Sequence, residues 1–350
     1  MKDFLDHPTF WQYLLAAELP PRKSSAILEE LETGSHDAVS FLLSYPYLTE
    51  GERKRLKQAN LLALEQALAS GAWILTQQGY PETLKRISYA PPALFVKGDS
   101  EVLVTRKIGI VGTRKATSYG KAIAKRFAER FARNGAAVVS GGAFGIDAAA
   151  HQAALDAGGQ TIVVLPTGID QYYPAHHVGL FEQARRSGCL ISPYAVASKW
   201  HAGRPILRNF VIAALSEALV VIESPQHSGA LMTAGFATEL GREVFVVPAN
   251  IDHPNFRGSH QLIRDGATLV DDPDQVLNAL GIDVSFIQQR LPEMSFIRKK
   301  ILDLLREGPM DAEKIGEQLK ESPSTVLPEL TMLEMEGHVF REVGGYILRK

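Results

Sequence analysis

The sequence predicts an α/β protein: a doubly wound, mostly parallel sheet of the extended Rossmann-like type, flanked by a small N-terminal helical module and a C-terminal winged-helix domain. Three observations predict it. Short apolar runs alternate with helical stretches from about residue 70 to 280. Glycine-rich turns follow several of those runs. A three-helix pattern with a terminal hairpin ends the chain. Strand–helix alternation at this spacing belongs to parallel sheets covered on both faces.

Residues 1–65 show helical spacing, as in Phe10-Trp11-Tyr13-Leu14-Leu15, and no strand pattern. The sheet domain is read as 66–282. Its expected strands are Ala72–Leu75, Ala93–Val96, Ile108–Val111, Ala136–Val139, Thr161–Leu165, Ala218–Ile222 and Val244–Val247. Lys121–Arg133 reads as a helix stopped by Asn134-Gly135, and Asp147 as the cap of a helix running through Leu155. Residues 283–294 read as a linker, and 295–350 as the winged helix.

Composition bounds the function. The chain has 350 residues, 45% hydrophobic and 22% charged, which is ordinary for a globular protein. No apolar run is long enough to span a bilayer and no signal peptide is apparent, so a cytoplasmic location is expected. One cysteine, Cys189, excludes an internal disulfide and reads as a core thiol. Net charge is −2, yet residues 97–133 hold ten bases against three acids. Such a concentration suits a polyanion.

Four segments could carry chemistry. Gly112-Thr113-Arg114-Lys115 opens a turn between strand and helix, where backbone amides and a helix N-terminus favour an anion. It is not a P-loop, because seven residues separate Gly112 from Gly120 and Ala122 stands at the hydroxyl position. Ser140-Gly141-Gly142 with Gly145 forms a second such loop, without a ribose-binding acid. Arg204, Arg208 and Asn209 stand at the start of an apolar helix, where they can meet phosphate or a base edge. Ser228-Gly229 opens another helix. In a doubly wound sheet these loops share the carboxyl edge, and several in a row suit a run of phosphates. His176-His177 reads as loop rather than metal pair, and neither a metal nor a cofactor is expected.

These residues, together with Tyr119-Gly120, Ile146-Asp147, His151, Thr167-Gly168, Tyr173-Pro174, Thr233-Ala234 and Gly266-Ala267, resemble the DNA-processing protein A (DprA, or Smf) family over roughly residues 70–280. The resemblance implies a dimer that binds single-stranded DNA, protects incoming DNA during transformation and loads the RecA recombinase, without catalysing a reaction. It places Arg114 and Arg208 in the DNA pocket beside Ser140–Gly145. Phosphates are then expected on the amides of the first two glycine loops, with Arg114, Lys115 and Arg208 supplying charge. The winged helix is expected to give partner contact or weak duplex binding. Where the family shows Phe-Pro-x-Arg-Asn-Arg, this chain has Pro205-Ile206-Leu207-Arg208-Asn209-Phe210. Arg204 or Phe210 are the candidates to replace the missing stacking aromatic and arginine. Pro193 and Ala249 are further departures. The rival class is a Rossmann nucleotide hydrolase of the lysine-decarboxylase-like (LOG) type, whose carboxylate would come from Asp147, Glu223 or Glu239.

Overall fold

The computed structural model describes residues 7–33, 37–282, 296–335, 338–342 and 345–348. The segment read as a linker lies outside them. The chain divides into two compact units at residues 284 and 285.

The first unit opens with five helices: α1 Pro8–Ala16, α2 Pro21–Thr33, α3 Ala38–Ser44, α4 Glu50–Lys57 and α5 Leu61–Ala69. Thr49 and Glu52 close a capping box on α4, which fixes where it begins. Then come β1 Ala72–Thr76, α6 Glu82–Lys85, β2 Ala93–Gly98 and β3 Arg106–Gly112. The alternation continues with α7 Ser118–Arg133, β4 Ala136–Ser140, α8 Ile146–Asp156, β5 Thr161–Val164, α9 Val178–Arg186 and β6 Gly188–Ser192. It ends with α10 Arg204–Leu215, β7 Ala218–Ile222, α11 Gly229–Glu239, β8 Glu243–Val246, α12 Arg257–Arg264, β9 Thr268–Leu269 and α13 Pro273–Ala279.

The nine strands form one sheet in the order β1-β2-β6-β5-β4-β3-β7-β8-β9. Pairings from β6 through β9 are parallel, while β2 runs antiparallel to both β1 and β6. The chain steps outward from β3 through β4 and β5 to β6, and α10 then returns it to β7 on the other side of β3. Strand order reverses there, which is where open α/β sheets bind ligands. The register sets Gly112 opposite Ile222, so the loops leaving β3 and β7 start side by side.

Sequence accounts for α7 well. Thr117 caps it by accepting from Gly120 N at 3.0 Å, and Ala124, Phe127, Ala128 and Phe131 form its buried face. The cap expected at Asp147 is a correction: Gly145 occupies the cap position of α8, and Asp147 lies inside the first turn, buried. Strand β6 and helix α9 were not anticipated. The run around Cys189 is only five residues, bounded by Arg185-Arg186-Ser187 and Pro193, and carries no alternation.

Three apolar clusters surround the sheet. One packs α10 and α11 on a face, and another packs α7, α8 and α13 on the opposite face. The third joins the N-terminal helices, through Phe10, Trp11, Leu14 and Ile27, to Phe95, Val163, Phe181 and Leu190 of the sheet domain. Cys189 sits in β6 with no exposure, opposite Ile162 and Gly98.

In the second unit, α14 Phe296–Glu307, α15 Ala312–Leu319 and α16 Pro323–Met335 precede a hairpin of β10 Val339–Glu342 and β11 Gly345–Leu348. Ile301, Leu305, Ile315, Val326, Leu330, Leu333, Val339 and Tyr346 form its core. This is the winged-helix order of three helices and a hairpin.

Candidate nucleic-acid interface

Two adjoining hollows lie at the carboxyl edge of the sheet. The larger, about 290 Å³, is lined by Gly112, Thr113, Arg114, Asp147, Arg208, Asn209, Ser228 and Gly229 among others. The smaller is lined by Arg114, Gly141, Ala143, Phe144, Pro166, Tyr173, Pro174 and Arg208. Arg114 and Arg208 therefore border both, although 94 positions separate them in sequence.

Arg208 is not at the helix start. The helix α10 begins at Arg204, so Arg208 falls one turn in and only 5% of it is exposed. Its guanidinium donates to the Gly141 carbonyl and, at 3.0 Å, to Asn209 Oδ1. A β-carbon at Gly141 would overlap that guanidinium, so the second loop needs glycine there. Burial lowers the affinity of Arg208 for its proton, while attraction from Asp147 opposes the shift. Asp147 shows the mirror image: burial raises its pKa and Arg208 counteracts. The Asp147 carboxylate also accepts from Ala143 N at 3.3 Å.

The other residues singled out above divide into three groups. Ser228 caps α11 and meets Ser224 Oγ at 2.6 Å, and Asn209 donates to Gly229 O at 3.3 Å, so these line the larger hollow as a connected set. Ser140, Gly142 and Gly145 support the second loop from behind. Ser140 Oγ donates to Ile110 O at 2.6 Å, Gly142 O contacts His177 Nδ1 at 2.9 Å, and Gly145 caps α8. Arg204 is brought elsewhere. It pairs with Glu18 at 2.7 Å, donates to Lys199 O and lies over the Tyr194 ring at 5.0 Å. Phe210, the other candidate replacement, is 6% exposed and packs against Tyr89 and Phe236 in the core.

The first loop narrows the expectation of phosphates on its amides. Three of its amides have protein acceptors: Thr113 N donates to Glu223 O at 2.8 Å, Lys115 N to Thr113 Oγ1 at 3.2 Å, and Thr117 N to the Glu223 carboxylate at 2.9 and 3.0 Å. A phosphate cannot share those three donors, and the exposed side chains of Arg114 and Lys115 carry the loop's positive charge.

Sequence reasoning missed the aromatics. Phe144 is 46% exposed and packs edge-on against His177, 4.6 Å between centroids. Tyr173 stacks on the exposed Trp200, 5.2 Å apart and 21° from parallel. Phe144 carried a usable signal: a large apolar side chain between glycines of a polar loop has no core to enter. Tyr173 stood in the family pattern as Tyr173-Pro174, but its stacking on Trp200, 27 positions away, had no sequence signal. Among the described residues no group of His, Cys, Asp or Glu is placed to hold a metal, and no helix is long and apolar enough to cross a membrane.

Comparison with known proteins agrees with this arrangement. Protein Smf of Escherichia coli is 32% identical over 279 residues, covering 77% of this chain and 74% of that protein. DNA processing protein DprA of Bacillus subtilis is 38% identical over 210 residues, 59% of this chain and 70% of that one. The crystal structure of DNA processing protein A from Streptococcus pneumoniae superposes with a TM-score of 0.67 at 29% identity, covering 76% of this chain and 95% of its own. The Helicobacter pylori protein, described by its single-stranded DNA binding mode, gives 0.55 at 28% identity over 60% of this chain and 95% of its own. Residues 288–345 match the DprA winged helix domain. Residues 72–281, which hold every loop of the two hollows, match the sequence profile of the DNA recombination-mediator protein A family, and to that family the chain belongs.

Proposed function

We propose that this protein binds single-stranded DNA without sequence preference along the two hollows, and hands it to the RecA recombinase while shielding incoming strands during natural transformation. The carrying observation is the convergence of Arg114 and Arg208 on both hollows, with Phe144 and Tyr173 lining the smaller one. Cations meet the phosphodiester backbone, and exposed rings offer stacking surfaces that every base can use. The Helicobacter pylori relative, named for binding single-stranded DNA, supports the same reading. The protein works as a homodimer in this reading, since two hollows on one strand raise the effective concentration of the second contact. The winged helix serves partner contact or weak duplex binding. No catalytic step is assigned: Glu223 is fully buried and its carboxylate is committed to Thr117 and Asn255, and Asp147 is buried beside Arg208.

The test is binding of labelled single- and double-stranded oligonucleotides across a salt series. Affinity for the single strand should be the greater and should fall steeply with salt. Arg114→Ala should weaken binding to all sequences and lower the salt slope by about one unit. Wild-type affinity and slope in that variant would sink the assignment.

A further inference from the structure

The residue just after β7 is a glutamate with φ of +55°, a left-handed backbone that side chains beyond glycine rarely adopt. Glu223 is also fully buried. Its carbonyl receives Thr113 N, and its carboxylate receives Thr117 N, Thr117 Oγ1 at 2.8 Å and Asn255 Nδ2 at 2.6 Å. The same Asn255 amide donates to Lys115 O at 3.1 Å. The loop carrying Arg114 is thus held at position 113 by the Glu223 backbone carbonyl, at 117 by the Glu223 carboxylate and at 115 by its partner Asn255. Gly120 belongs to the same device, because a β-carbon there would overlap the Glu223 carboxylate. A carboxylate out of water needs such compensation, and the positive end of α7 adds to it. That helix end is where Rossmann-type proteins ordinarily seat a phosphate.

We propose that Glu223 is a built-in anion: it positions Arg114 for the DNA strand and closes the start of α7 to the phosphate of free nucleotides. The positioning half rests on the reading that Arg114 contacts DNA. It makes the protein specific for a polymer held by side-chain cations, against a mononucleotide held by backbone amides.

The experiment uses the full chain with Glu223→Gln, Glu223→Ala, Asn255→Ala and Arg114→Ala. Anisotropy of a labelled single-stranded oligonucleotide should show Glu223→Gln and Asn255→Ala weakened about fivefold, the scale of one lost hydrogen bond. Arg114→Ala should cost less in the Glu223→Gln background than in wild type, a coupling that a purely structural residue would not produce. Calorimetric titration with AMP and with inorganic phosphate should detect binding to folded Glu223→Ala and none to wild type. Wild-type DNA affinity in Glu223→Gln and Asn255→Ala, with Arg114→Ala weakened, overturns positioning and leaves the DNA reading intact. Silence of Arg114→Ala itself overturns the DNA reading instead. A folded Glu223→Ala that takes neither AMP nor phosphate overturns the exclusion. If the Glu223 variants fail to fold, Asn255→Ala, which removes no buried charge, decides the positioning.

Discussion

His151 shows how much chemistry a buried side chain carries without touching a ligand. Thr161 Oγ1 donates to Val138 O at 2.8 Å, so it must accept from His151 Nδ1 at 2.7 Å, which fixes the neutral tautomer. Burial, then the nearby His177 and Arg208, pushes its pKa from 6.5 to about 3. An unfolded chain would take up a proton below pH 6.5 that the folded protein refuses. Stability from this residue is therefore present above pH 6.5 and is lost as pH falls toward about 3, at up to about 1.4 kcal/mol per unit. Denaturant unfolding at successive pH values should show a shallower acid loss in His151→Gln than in wild type. Equal slopes would remove His151 from the account. At this scale the sequence was half legible. Arg114, Arg208 and the two glycine loops could be picked out by residue type and position. The burial of Arg208 and the use of Glu223 as an internal ligand could not, because both depend on neighbours distant in sequence.

Helix α10 divides three tasks along one and a half turns. Arg204 ties it to Glu18 of the N-terminal helices, Arg208 enters the hollows, and Phe210 enters the core beside Tyr89 and Phe236. Arginines four apart share a side of a helix in general, yet here they reach different neighbours, Glu18 and Tyr194 for Arg204 and Gly141 and Asn209 for Arg208. The distinction between the two phenylalanines can be measured. Phe210→Ala should lower stability by roughly 3–5 kcal/mol and leave the DNA affinity of the folded fraction unchanged. Phe144→Ala should change stability by less than about 0.5 kcal/mol and weaken single-strand binding by about 1–3 kcal/mol. Thermal unfolding and anisotropy together check both, and the reverse pattern would refute the placement of the aromatics. Strands of the sheet were legible from apolar runs between glycine turns. The strands β6 and β9 were not, since the five residues of β6 lack period and breaker on one side and β9 is only two residues long.

For the whole molecule, the pattern of alternating elements predicted the parallel sheet and its ligand edge, and three helices with a hairpin predicted the second unit. The sequence of residues 1–65 showed helices but not their partner. Their apolar faces meet Phe95, Phe181 and Leu190, so the module and the sheet form a common core within the first unit. Periodicity reveals that a face is apolar and is silent on what covers it. One further consequence follows from the place of Cys189, enclosed between β5 and β2, where burial and then Asp99 push its thiol up. A lone sulfhydryl there is a ready-made stopwatch for breathing of the fold. Maleimide capture should be slow in native buffer, should quicken with sub-denaturing urea, and should slow again when an oligonucleotide is bound. Rapid stoichiometric capture in native buffer would mean that this part of the protein opens far more often than its packing implies.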